Sequence, residues 1–205
     1  MRNILEALNY MHQNKVVHRD LKPANLILES KENDWDIRIA DFGFATFIKE
    51  GEPLTLRCGS PGYQAPELLE GDGYDEKADM FSVGTILYVL LSGEPTFKGF
   101  RLATIMESNR KCVVEYPDKY WSMVSDDAKD LVERLLEKDP KHRISAAQAL
   151  EHEWLNKIES LMSLNNLSLS NASHRLEEQD KLLINYKIKS GEIESELQLY
   201  TATPI

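Results

Sequence analysis

Cysteine is scarce in this 205-residue chain. Cys58 and Cys112 are too few for a disulfide framework, and no Cys/His cluster has zinc-ligand spacing. Both are expected as free thiols of a reducing compartment, which makes the cytoplasm the expected location. Long apolar runs are missing as well. The strongest, Val83 to Leu91, is interrupted by Gly84 and Thr85. It falls far short of the roughly 20 residues that a membrane crossing needs, so it is expected as a buried core helix. Met1 to Glu6 bring in an acid and no apolar run backed by small residues, so no secretory leader is expected. Basic charge is in deficit: 24 Lys and Arg stand against 34 Asp and Glu, for a net charge of -10, and no Lys/Arg run exceeds two residues. A phosphate backbone calls for a concentrated basic surface, so nucleic acid is not an expected partner, nor is a membrane. The acidic excess reads as a solvated surface. What is present, 42% hydrophobic and 28% charged residues without an internal repeat, suits a soluble globular domain with a substantial core.

Hydrophobic spacing organises the chain. Ile4, Leu5, Leu8 and Met11 predict an amphipathic helix over 3–13, on which the domain opens with no preceding domain expected. Val16-Val17, Leu26 to Leu28 and Ile37 to Ile39 predict short strands joined by loops. Between Thr46 and Gly73, Gly, Pro, Thr and Glu recur without a period, which predicts a long ordered loop with no regular element. Asp79 stands where it could cap the next helix, whose residues Met80 to Leu91 are apolar nearly all round. Gly93 and Pro95 end that helix. Further helices are predicted over 102–108, 125–136 and 145–152, the second with a stripe of Ala128, Leu131, Val132, Leu135 and Leu136. Ser, Asn and Leu dominate 160–173 and predict a linker; a charged helix is predicted over 174–190, and a frayed or disordered end from Gly191.

The sharpest signal is His18-Arg19-Asp20-Leu21-Lys22-Pro23-Ala24-Asn25. Asp41-Phe42-Gly43 follows, and Ala65-Pro66-Glu67 closes the segment. Three motifs in this order and spacing resemble the protein kinase family, over Asn3 to about Leu155. The resemblance implies a mainly α fold: the helical C-terminal lobe of the protein-kinase-like fold, with a few short β-strands around the catalytic loop. The linker and a partly helical or disordered tail then occupy 156–205. It implies a serine/threonine protein kinase that uses ATP and Mg2+ and acts on protein substrates.

The residue types suit that chemistry. Transfer of a terminal phosphoryl group demands positioning and neutralisation of negative charge more than covalent catalysis. By resemblance, Asp20 accepts or orients the proton of the substrate hydroxyl, and Lys22 reaches the transferring phosphate. Lys22 is the residue type of serine/threonine kinases at this position. Asn25 and Asp41 offer oxygen ligands suited to Mg2+ held together with phosphates, and Ile27 forms part of the floor under the adenine. Each also has a local alternative: Asp20 as a loop-capping acid, Asp41 as a turn residue, Asn25 as a backbone hydrogen-bond partner. The resemblance makes His18, Phe42 and Asp79 scaffold residues that hold the two loops on the central helix. It also pairs Glu67 with Arg143, which stands in the context Asp139-Pro140-Lys141-His142-Arg143.

Cys58 to Glu67 resembles the substrate-docking loop of the calcium/calmodulin-dependent and AMP-activated kinase group, with Ser60, Gly62 and Tyr63 as its docking residues. Ser60 replaces the usual Thr and keeps a hydroxyl able to bond Asp20 and Lys22. Arg19 leaves a cation facing this segment, where a phosphate could order the loop. Thr55 is the candidate acceptor for an upstream activating kinase, or only a loop residue. Several features depart from the family. These residues contain no glycine-rich phosphate-covering loop, no strand lysine and no helix glutamate to pair with it. The 205 residues alone are therefore expected to bind Mg-ATP weakly and to transfer phosphate slowly. Ala24 and Val89 supply no acid where kinases selecting basic substrates carry one, and no calmodulin-binding or calcium-binding stretch is present. The alternative is a lobe-only protein that binds partners without catalysis.

Overall fold

The computed structural model describes residues 1–28, 37–71 and 73–157. The linker, charged helix and frayed end predicted after 157 lie outside the described residues. Helix α1 (Arg2–Gln13) buries Ile4, Leu5, Leu8 and Met11 on one face, as their three- and four-residue spacing requires. Strand β1 (Val16–Val17) follows, then a 3-10 turn over Pro23–Asn25 and strands β2 (Leu26–Leu28) and β3 (Ile37–Ile39). β2 and β3 pair antiparallel, with Leu26 opposite Ile39 and Leu28 opposite Ile37.

The stretch 46–73 is not wholly irregular. Strand β4 (Thr46–Phe47) returns to pair antiparallel with β1, and helix α2 (Pro66–Glu70) forms near its end. Pro66 begins α2 with φ already set for a helix, and Gly71 ends it at φ 87. Neither element spans two turns or three strand pairs, so no period could announce it.

Helix α3 (Lys77–Ser92) is the axis of the domain: of its residues only Lys77 and Leu90 are not buried. The helix starts at Lys77 behind Glu76, which corrects the expectation that Asp79 caps it. Asp79 lies inside the first turn and gives its carboxylate to other segments. Gly84 brings α3 against α6 (Asp126–Leu135), since a Cβ there would stand 2.9 Å from Leu135 Cβ and 2.9 Å from Leu136 Cδ2. Helix α4 (Leu102–Lys111) contacts α2, and α5 (Asp118–Trp121) sets Trp121 beside Tyr88 and Tyr116, with ring centroids 4.9 and 4.7 Å away. Ser125 caps α6, and Ser145 with Gln148 forms a reciprocal capping box on α7 (Ala146–Leu150), which packs against α1. The fold of the described residues is mainly α, with two two-stranded sheets. Among the described residues no helix is long and apolar enough to cross a membrane, and both cysteines are free.

Candidate active site

The chain leaves β1 and enters a loop fastened to α3 through its backbone. Asp79, buried in the first turn of α3, accepts the amide of His18 at 2.8 Å and that of Arg19 at 2.9 Å. A third donor-acceptor contact reaches the same carboxylate from His12 Nε2 at 3.0 Å. Holding both amides fixes Arg19 at φ 72, a left-handed conformation that a non-glycine residue keeps only when its surroundings over-determine it. His18 is fully buried; its Nδ1 accepts the amide of Asp20 at 3.3 Å. The ring therefore carries its hydrogen on Nε2 and gives it to the Ala40 carbonyl, 3.0 Å away. One imidazole thus ties the first loop to the segment that precedes Asp41. The Phe42 ring meets the His18 edge at 5.2 Å and is otherwise more than half exposed.

Asp20, 5% exposed, is the centre of the polar cluster. Its Oδ1 accepts Ser60 Oγ at 2.8 Å; its Oδ2 accepts Lys22 Nζ at 3.0 Å and Asn25 Nδ2 at 3.4 Å. Lys22 Nζ also donates to Ser60 Oγ at 2.8 Å, which closes a ring of three side chains. The Asn25 amide nitrogen is further held by the Asp20 carbonyl at 2.8 Å, which leaves Asn25 Oδ1 as the side-chain atom able to take a ligand. The backbone then links Asn25 to the second loop, because the Ala40 amide donates to the Asn25 carbonyl at 2.9 Å. Asp41 follows at φ 60, exposed, with Oδ1 accepting the Gly43 amide at 3.3 Å. Ile27, 53% exposed, lies on β2 opposite Arg38 of β3.

Two oxygen donors on adjacent loops suit a divalent cation that takes its other ligands from phosphate and water. Among the described residues no group of three or more His, Cys, Asp or Glu side chains could hold a metal unaided. The donor set fits Mg2+ bound with a polyphosphate and does not fit a self-contained zinc site. A separate polar cleft of about 470 Å³, lined by Asp127, Asp130, Arg134 and His152 among others, contains none of these residues.

The segment 58–64 is held from below. Ser82 of α3 donates to the Tyr63 carbonyl at 2.7 Å, and Gln64 Nε2 donates to the carbonyls of Cys58 and Gly59. Burial pushes the Tyr63 hydroxyl far above the usual phenol range. Gly59 and Gly62 turn at φ 96 and 83. Glu67 meets Arg143, and Thr55 is exposed on the segment between them and Asp41. The Arg19 guanidinium faces this segment and donates to the Phe44 carbonyl at 2.5 Å and to the Tyr74 hydroxyl at 3.4 Å.

Sequence reasoning passed over four partners in this network: His12, Tyr74, Lys77 and Ser82. His12 carried one readable signal, since it lies four residues after Leu8 on the buried face of α1. The others act through contacts that cross long stretches of chain, such as Lys77 Nζ on the Arg143 carbonyl.

Comparison with known proteins agrees with the geometry. The protein kinase domain family model matches residues 1–155. Myosin light chain kinase A of Dictyostelium discoideum is 40% identical over 169 residues, covering 82% of this chain and 57% of that protein. Calcium/calmodulin-dependent protein kinase type 1 of Caenorhabditis briggsae is 41% identical over 156 residues, 76% of this chain and 44% of that one. The liver/testis phosphorylase b kinase gamma catalytic chain of Bos taurus is 38% identical over 171 residues, 80% of this chain and 41% of that one. The chain thus spans between two fifths and three fifths of the length of these relatives. With the motifs, the helical architecture and the serine/threonine kinases among its relatives in agreement, the chain belongs to the protein kinase family, and its described residues form the helical lobe of that fold.

Proposed function

We propose that this lobe serves a serine/threonine protein kinase that transfers the terminal phosphoryl group of ATP to protein hydroxyls, with Mg2+ as the cation. The observation that carries the reading is the closed Asp20–Ser60–Lys22 ring bonded to Asn25, whose carbonyl accepts the amide of Ala40, the residue before Asp41. Asp20 has an oxygen positioned to take the proton of an incoming hydroxyl, and Lys22 offers an ammonium that can shift from Ser60 to a phosphate oxygen. Asn25 and Asp41 would hold the cation. When bound, Mg-ATP supplies the transferring group and neutralises its charge. Ser60 Oγ bonds both Asp20 Oδ1 and Lys22 Nζ, and a substrate hydroxyl can take its place in the ring. Protein substrates would lie along Ser60, Gly62 and Tyr63, and Thr55 is the acceptor proposed for an upstream kinase.

The test uses the protein captured from its source with an antibody to the tail, assayed for Mg-dependent transfer from ATP to a serine peptide library. Asp20→Asn, introduced at the same locus, is expected to lower turnover by about 10²–10⁴-fold, the share a general base contributes. An intact mass above 23.5 kDa is expected for the active species, because the residues here cover one face of the nucleotide. Transfer that is equal in the two proteins, or absent from both, would leave the docking segment as a binding surface and remove the catalytic reading.

A further inference from the structure

Tyr74 stands at the crossing of three segments, and no motif includes it. It lies between α2 and α3, and it is 5% exposed. Its backbone forms a two-bond antiparallel bridge with Leu54, the two N···O distances both being 2.9 Å. Its hydroxyl donates to the Leu56 carbonyl at 2.7 Å, accepts Arg19 Nη1 at 3.4 Å and lies 3.8 Å from Cys58 Sγ. Burial pushes the phenol up to about 12, so at neutral pH the group keeps the proton it donates. Three residues beyond Leu56 the segment presses on the loop that carries Asp20: a Cβ on Gly59 would stand 2.5 Å from the Arg19 carbonyl oxygen. The next residue, Ser60, completes the ring with Asp20 and Lys22.

We propose that Tyr74 is a positioning residue whose hydroxyl seats the 54–60 segment on Arg19 and so delivers Ser60 to Asp20 and Lys22 without a phosphate on the segment. The guanidinium is directed here by two neutral oxygens, the Phe44 carbonyl and the Tyr74 phenol. A backbone bridge at Leu54 and a hydroxyl contact at Leu56 fix the register of the segment six and four residues ahead of Ser60. Tyr74→Phe keeps the buried ring and the backbone bridge and deletes only the contacts of the hydroxyl with Leu56, Arg19 and Cys58. What the seating accomplishes rests on the kinase reading of Asp20 and Lys22; the seating itself does not.

Amide hydrogen exchange on the phosphatase-treated 205-residue chain tests it. Tyr74→Phe is expected to speed exchange across 56–64 about tenfold, the effect of losing about one hydrogen bond, and to leave α3 and α6 unchanged. Arg19→Lys is expected to act on the same peptides. Tyr74→Phe added to Arg19→Lys should then change exchange by less than Tyr74→Phe does alone, because the Arg19–Tyr74 bond is already lost and only the Leu56 and Cys58 contacts of the hydroxyl remain to be deleted. Wild-type exchange in the Tyr74→Phe variant overturns the proposal. So does a rise that extends through α3 and α6, which would make the hydroxyl a general core element, or effects of the two variants that multiply. Loss of protection from wild type on phosphatase treatment overturns it as well, since a phosphate would then hold the segment. Exchange involves no phosphoryl transfer, so failure of the proposal leaves the kinase reading intact, and an inactive protein leaves the exchange result intact.

Discussion

Arg143 grips Glu67 through two parallel hydrogen bonds, Nη1 to Oε1 at 2.6 Å and Nη2 to Oε2 at 2.9 Å, with both side chains at least nine-tenths buried. The three remaining guanidinium N–H groups go to the carbonyls of Lys77, Glu137 and Lys138, so all of its donors are used. The cation also lies 5.0 Å from the centre of the Phe81 ring. This side chain therefore joins Glu67 at the start of α2 to α3 and to the loop after α6. Glu67→Gln leaves a buried guanidinium without its counter-charge. It is expected to lower stability by about 3–5 kcal/mol, read as a fall in the urea midpoint.

Gly84 reverses the usual rule for glycine in a helix. Replacing an interior helical glycine with alanine ordinarily stabilises by about 1 kcal/mol. Here the added Cβ would stand 2.9 Å from Leu135 Cβ and 2.9 Å from Leu136 Cδ2. Gly84→Ala should push α6 off α3 and destabilise by about 1–3 kcal/mol, as overpacking does. A melting temperature at or above that of wild type would show that α6 can move aside freely.

Gly59 and Gly62 separate backbone strain from collision. Both have positive φ, but a Cβ at Gly62 meets only Ile105 Cγ2 at 3.7 Å, whereas one at Gly59 meets the Arg19 carbonyl oxygen at 2.5 Å. Gly62→Ala is expected to cost about 1 kcal/mol from its left-handed φ alone. Gly59→Ala should cost more and lift Ser60 from Asp20. Equal thermal shifts in the two variants would contradict this.

Burial raises the Cys112 thiol from its ordinary 9.0 to about 11. Its Sγ donates to the Leu136 carbonyl at 3.3 Å. Alkylation at pH 8 should therefore be slow in the folded protein and rapid after denaturation. Because the folded value is the higher one, the protein holds the thiol proton more tightly than the unfolded chain. This contribution to stability is complete below pH 9 and is lost as pH rises toward 11. Rapid native alkylation followed by peptide mapping of Cys112 would contradict the assignment.

What could be read from the sequence depended on distance along the chain. The α1 face, the all-apolar α3 and the α6 stripe are periodic over two turns or more, so their spacing declared them. Helix α2, of five residues, and α5, of four, are too short for a period to form. Asp20, Lys22 and Asn25 fall within one loop and were visible together. Asp79 was visible as an acid at a helix start, yet the amides it bonds belong to residues 61 and 60 positions earlier. Capping logic looks only to neighbouring residues and so assigned it the wrong partners. Arg19 and Tyr74 are 55 positions apart, and nothing local in either records the other.

The attachment of His18 and Arg19 to Asp79 has a thermodynamic consequence. The loop that carries Asp20 is secured to the most completely buried helix, so ordering of that loop and integrity of that helix belong to one equilibrium. Anything that binds the loop only in its ordered form must also retard the opening of α3, and by the same free energy with which an intact α3 strengthens the binding.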